Sequence, residues 1–160
     1  MRLTVAAIGR LRGGPELDLV TDYAARIRAI GRSQGVTTFD IKEIDPPTGP
    51  AGEARRQRES ARLLKAVAGS AKRIALDERG EALASETFAR RIADWRDGGA
   101  GEIAFLVGGA DGHHPSLIAA ADFVVAFGRA TFPHMLVRAM LVEQIYRAMT
   151  ILSGHPYHRA

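Results

Sequence analysis

The sequence predicts one three-layer α/β domain built on a mostly parallel sheet of five strands. Three observations lead there. Strand-like and helix-like patterns alternate along all 160 residues, the rhythm of repeated βα units. The segments 103–107 and 123–127 are unbroken apolar runs, as expected for parallel strands covered by helices on both faces. Glycine-rich turns follow these late strands (Gly108-Gly109 and Gly128), where open α/β sheets hold their ligands.

Each element has its own justification. Residues 2–8 are β-rich and weakly alternating. Residues 15–30 carry Leu17, Leu19, Val20, Tyr23, Ala24, Ile27 and Ile30 at helical spacing, with Pro15 in the tolerated first turn. Alternation returns over 35–44, and Asp45-Pro46-Pro47-Thr48-Gly49-Pro50 reads as a loop. A helix follows with Leu63, Leu64 and Val67 as its apolar face, then a short strand over 72–77. Ser85 is placed to cap a helix running to Trp95. After the strand at 103–107 come a short helix over 115–121, the strand at 123–127, and the longest helix over 133–152. That helix bears Met135, Leu136, Met140, Leu141, Ile145, Met149 and Leu152. The set is wider than one sheet-facing stripe, so a second subunit is expected to cover part of it.

Composition excludes several chemistries. There is no cysteine, which removes disulfides, thiolate catalysis and Cys-ligated zinc. No apolar run approaches the roughly 20 residues of a membrane span, and the N-terminus does not read as a signal peptide, so a cytoplasmic protein is expected. The net charge is +4, but it is unevenly spread. Arg55, Arg56, Arg58, Arg62, Lys65, Lys72 and Arg73 face only Glu53 and Glu59 within one segment. Such a stripe is either a footprint for phosphates or a solvated helix face.

Three strand ends are candidate ligand sites: Leu76-Asp77-Glu78-Arg79-Gly80, Gly108-Gly109-Ala110-Asp111-Gly112, and Phe127-Gly128-Arg129-Ala130-Thr131-Phe132-Pro133-His134. Glycine permits close backbone approach and positive φ, though it also simply makes tight turns. Neither the early Gly-x-Gly-x-x-Gly fingerprint nor a P-loop is present. The ending His155-Pro156-Tyr157-His158-Arg159 gathers side chains suited to proton transfer, stacking and phosphate binding. Glu143 and Arg147 are four apart and form either a surface pair or part of a site. No carboxylate spacing completes a metal site around His113, His114, His134, His155 or His158, so no metal is expected.

Taken together, Leu76-Asp77, the run Phe105-Leu106-Val107-Gly108-Gly109-Ala110-Asp111-Gly112, Thr131-Phe132-Pro133-His134 with Val137-Arg138, Glu143-Gln144-Ile145-Tyr146-Arg147-Ala148 and the His155–Arg159 ending resemble the RlmH family. These are SPOUT-class methyltransferases acting on the large ribosomal subunit. The resemblance implies a C-terminal trefoil knot, a cytoplasmic homodimer and S-adenosylmethionine as cofactor. It implies a cofactor pocket of Leu76, Gly108, Gly109, Phe127, Gly128, Arg129, Ala130, Thr131 and Phe132. Gly128 stands where a serine is common in the family, so backbone replaces a hydroxyl there. The implied substrate is N3 of a pseudouridine in helix 69 of 23S rRNA, methylated in the assembled ribosome. By residue type, His158 or Tyr157 would handle the N3 proton and Arg159 or Arg147 the developing charge, with Glu143 positioning Arg147. The tail of one subunit is expected to complete the site of the other. The competing readings are a SPOUT methyltransferase for a tRNA ribose 2′-hydroxyl and a non-enzymatic rRNA-binding domain. The first shares the pocket but would normally lack the tail, and the second would bind no cofactor.

Overall fold

A computed structural model describes residues 1–158 of the chain. The elements run β1 (Arg2–Ile8), α1 (Pro15–Gly31), a 3-10 turn (Arg32–Gln34), β2 (Thr38–Ile44), α2 (Glu53–Ala66), β3 (Lys72–Ala82), α3 (Ser85–Asp97), β4 (Glu102–Val107), α4 (Pro115–Ala120), β5 (Phe123–Ala126) and α5 (His134–Ser153). The five strands form one sheet in the order β2-β1-β4-β3-β5, and every pairing is parallel. The sheet has a core on each face. One is built with Val20, Ala24 and Ile27 of α1, Phe88 and Ile92 of α3, and Leu141, Ile145 and Met149 of α5. The other is built with Leu63 of α2 and Leu117 of α4. This is the expected three-layer α/β architecture. Among the described residues no helix is long and apolar enough to cross a membrane.

Double coverage explains why β1 alternates so weakly in sequence. Leu3 through Ile8 are all buried, so neither face of the strand needs polar residues. The start of β2 differs from the expectation at residue 35. Gly35 takes the left-handed conformation (φ 75°) that closes the 3-10 turn, and pairing begins only at Thr38.

Two further expectations are corrected. β3 does not stop at residue 77. Its pairing with β5 is interrupted after Leu76 and resumes at Glu81, which lies opposite Val125. The intervening residues 77–80 bulge from the sheet. Gly80 makes the return possible, because a Cβ there would stand 2.6 Å from the Val125 carbonyl carbon. Ser85 does not cap α3. The N-cap is Ala84, and the Ser85 hydroxyl instead donates to Gln144 Oε1 at 3.0 Å, tying α3 to α5.

The apolar set on α5 divides. Leu141, Ile145 and Met149 are buried by the chain itself. Leu136, Met140 and Leu152 remain half-buried, and Met135 is exposed, as is Leu19 on α1. The basic stripe divides too. Arg55 pairs with Asp111, Arg56 with Glu53 and Lys72 with Asp122. Arg73 donates to the Gly69 carbonyl. Arg58, Arg62 and Lys65 stay exposed on α2, the first two donating to the carbonyls of Thr48 and Asp45.

Candidate active site

Because β4, β3 and β5 are neighbours in the sheet, the chain leaving their carboxyl ends converges on one spot. A cavity of about 350 Å³ opens there, within the size range of small-ligand pockets. Leu76, Gly108, Gly109, Phe127, Gly128, Ala130, Thr131 and Phe132 all line it. Arg129 does not; it is exposed outside the lining. The fold adds Arg56, Asp77, Arg79, His113 and His134 to the walls.

The glycines at 108 and 109 line the cavity and are also crowded from the protein side. A Cβ on Gly108 would meet the Gly112 carbonyl carbon at 3.2 Å and the His113 ring at 3.3 Å. A Cβ on Gly109 would stand 2.8 Å from a carboxylate oxygen of Glu59. The missing side chains are therefore demanded from the protein side. Gly128 meets nothing within 4 Å, but its φ of +127° is one that other residues rarely adopt.

The polar groups here have identifiable states. His113 is 2% exposed. Burial lowers its pKa, against the opposing effects of the bond to the Leu106 carbonyl and of the nearby Asp77 carboxylate. The neutral ring donates from Nε2 to the Leu106 carbonyl at 3.1 Å, which leaves Nδ1 a bare acceptor with no partner. Burial also lowers the pKa of the half-buried His134, helped by nearby Arg138. Burial pushes the Asp77 carboxyl up, but hydrogen bonds from the Arg79 side chain and amide outweigh it and hold the group below the usual range. Glu59 is 4% exposed, and burial raises its pKa despite Arg55.

A second cluster forms around Glu143 on α5. Its Oε1 accepts from Arg147 Nη2 at 2.6 Å, Arg147 Nε at 3.0 Å and the Tyr157 hydroxyl at 3.0 Å. Its Oε2 accepts from Gln144. The Arg147 guanidinium lies 4.9 Å from the centre of the Tyr157 ring, and the Tyr157 and Tyr23 hydroxyl oxygens are 3.1 Å apart. Burial, then the bonds to Tyr23 and Glu143, hold the Tyr157 phenol far above its ordinary pKa. Its hydroxyl donates a hydrogen bond to Glu143 in this arrangement. His158 meets Glu86 through Nε2 at 2.8 Å, and its Nδ1 is buried without a partner. Arg159 lies outside the described residues. Tyr157 and His158 thus dock on their own chain's α1, α3 and α5.

The two regions adjoin. A second hollow, ending at Tyr23, Glu143 and Gln144, shares Ala126, Phe127 and Gly128 with the first cavity. The sequence therefore named most of the cavity and the Glu143–Arg147–Tyr157 cluster. It missed Tyr23, Glu59, Glu86 and His113, each of which reads locally as an ordinary helix or loop residue. Glu59 left one trace, a lone carboxylate on the apolar side of a basic helix. Among the described residues no three His, Asp or Glu side chains gather as a metal site.

The family model described as "Predicted SPOUT methyltransferase" matches residues 1–158. The chain is 53% identical, over the full length of both proteins, to "Ribosomal RNA large subunit methyltransferase H" of Xanthobacter autotrophicus. The protein of the same name from Methylorubrum populi is 49% identical, over 99% of this chain and 97% of its own. That of Paracoccus denitrificans is also 49% identical, over 99% of each. This chain belongs to the SPOUT methyltransferases, within the RlmH family.

Proposed function

We propose that this protein methylates 23S ribosomal RNA with S-adenosylmethionine, at N3 of a pseudouridine in helix 69 of the assembled ribosome. The observation that carries the reading is the glycine-lined cavity at the carboxyl ends of β4, β3 and β5. The relatives' names supply the RNA. The pseudouridine and its helix come from the family resemblance.

The cavity fits the cofactor in kind. Leu76, Phe127 and Phe132 offer apolar surface, and Gly108, Gly128, Ala130 and Thr131 bring backbone to the wall at the carboxyl ends of parallel strands. When bound, S-adenosylmethionine supplies a methyl group already activated by its sulfonium, so no metal is needed. The protein's own work is orientation and charge management. Arg147, fixed by two hydrogen bonds to Glu143, stabilises the negative charge that grows on the imide as N3 loses its proton. Tyr157 donates to Glu143 and keeps the guanidinium stacked on its ring. The N3 proton is assigned by residue type to His158 or Tyr157, His158 being held by Glu86 through Nε2. Arg159 adds a second cation to the same work.

The protein works as a cytoplasmic homodimer in this reading. The second subunit covers Met135 and Leu19, both more than 40% exposed, and brings its tail cluster against the first subunit's cavity. The C-terminal trefoil knot is part of the same reading and comes from the family resemblance. Mass spectrometry of 23S rRNA from cells with and without the gene tests the function. Loss of one methyl from the helix 69 fragment is expected, and an unchanged fragment refutes the assignment.

A further inference from the structure

The five strands are parallel, so their carboxyl ends share one edge of the sheet. The cavity occupies the β4, β3 and β5 part of that edge. Beyond β1 and β2 the edge carries arginines. Arg10 and Arg12 come from the connection after β1, Arg58 and Arg62 from α2, and all four are exposed. Three of them are tied to the connection 45–50 that follows β2. Arg10 binds both carboxylate oxygens of Asp45, at 2.8 and 3.0 Å. Arg62 donates to the Asp45 carbonyl at 2.7 Å, and Arg58 to the Thr48 carbonyl at 3.2 Å.

Carbonyls fix these side chains without cancelling their charge. Among the described residues Asp45 is the one carboxylate bonded to any of the four, and the nearby Glu43 is taken by buried Arg138. Glu16 and Asp18 begin α1, which covers the face of the sheet opposite to α2. The amino ends of the strands differ, because Arg2 and Lys72 there are each paired with a carboxylate, Glu102 and Asp122. A guanidinium held through one nitrogen keeps the rest of its N–H fork for a further acceptor. Along α2, Arg58, Arg62 and Lys65 are spaced four and three residues apart and form one exposed stripe. Forks fixed in a row suit phosphates, whereas a merely solvated helix face has no need of tethers to a neighbouring loop. The cluster also adjoins the cavity at two places. A side chain on Gly9, the residue before Arg10, would begin 3.8 Å from Nε2 of His134, which lines the cavity. Arg56, two residues before Arg58, lines it as well.

We propose that Arg10, Arg12, Arg58 and Arg62 form the docking surface for the rRNA backbone: they bind phosphates of the strand whose target base sits at the cavity. The inference rests on the ribosomal RNA reading above. Phosphate contacts of this kind set the register of the RNA and leave the choice of base to the site.

Filter binding of the enzyme to ribosomes from about 50 to 200 mM salt tests it. Arg58→Gln/Arg62→Gln is expected to weaken binding on the order of 10-fold at the lower salt. The slope of log affinity against log salt should become shallower by about 1.4–1.8, the share of two phosphates. Arg58→Lys/Arg62→Lys keeps the charge and is expected to recover most of that slope. Titration with S-adenosylmethionine should match the wild type in both pairs, since neither side chain lines the cavity. Arg32→Gln/Lys72→Gln removes equal charge at the amino ends of the strands and is expected to bind ribosomes like the wild type. If the glutamine pair fails to fold, Arg12→Glu in the separate connection after β1 decides by the same two readouts. An unchanged slope overturns the proposal, as does an equal loss in the amino-end pair. A loss on ribosomes but not on protein-free 23S rRNA assigns the cluster to a ribosomal protein and overturns it too. If the wild type itself methylates no ribosomal RNA, the functional reading has failed instead.

Discussion

Replacing Arg138 with methionine should destabilise the protein without touching the lining of either cavity. Arg138 is 1% exposed. It donates to Glu43 Oε1 at 2.7 Å and to the carbonyls of Ile8 and Gly9 at 3.1 and 2.9 Å. Methionine keeps most of the volume, so the cost is mainly polar. Glu43, 31% exposed, stays partly hydrated and still accepts from the Leu11 amide. The two carbonyls lose a charged donor. Breaking a buried pair by removing one partner costs about 3–5 kcal/mol, and the residual hydration of Glu43 points to the lower part of that range. For a chain of this size the melting temperature should fall on the order of 10 °C. Urea unfolding followed by circular dichroism measures it, with an unchanged slope if both states keep their compactness. A loss below about 1 kcal/mol would mean that the three hydrogen bonds are no better than hydration. Arg138 would then not anchor α5 to the end of β1.

Gly80→Ala would push a methyl to 2.6 Å from the Val125 carbonyl carbon. The neighbour is backbone and cannot swing aside, so a loss at or beyond the top of the ~1–3 kcal/mol overpacking range is expected in thermal denaturation. His113 is held neutral by burial, below its ordinary value of 6.5. The unfolded chain therefore binds more protons as pH falls through about 6.5, and stability present above that pH is lost below it. Urea midpoints measured from neutral pH to pH 5 should fall, and His113→Leu should flatten the slope, with the remainder due to His134. Light scattering should give a mass near twice 17.2 kDa, and a stable monomer at micromolar concentration would sink the composite site. Deleting residues 155–160 should spare cofactor titration while methyl transfer to ribosomes falls by several orders of magnitude. Mixing that chain with Gly108→Val should restore one working site per heterodimer. Heterodimers that form and stay inactive would show that the tail acts within its own chain or not at all.

The strands and helices were legible because burial on both faces leaves such a plain mark. Residues 103–107 could hardly be anything but a covered central strand, and β4 is buried throughout. The glycine turns marked the ligand end of the sheet, and the cavity formed there. What escaped depended on contacts distant in sequence. Gly80 reads as a turn residue until β5 is known to lie beneath it. Ser85 has the chemistry of a cap, but Gln144 competes for its hydroxyl across 59 positions. Glu59 looks solvated in a basic helix, and only the loop after β4 shows that it is buried. Gly108 and Gly109 line the cavity, and nothing in the sequence marked that Glu59 and His113 also crowd them from the protein side.

The sheet order also sets a schedule for biosynthesis. β1 is the second strand in space, and its two neighbours are made at very different times. β2 follows within a few dozen residues, but the other side of β1 pairs with β4, Arg2 lying opposite Glu102. Until residue 107 has left the ribosome, the nascent chain carries an apolar strand with one edge unpaired. Such an edge is a template for wrong partners, and closing it requires a long loop before any contact repays the entropy. A chain stalled before β4 should therefore aggregate or engage chaperones, whereas one released after β5 and α5 has both flanks of β4 filled and both faces of the sheet covered.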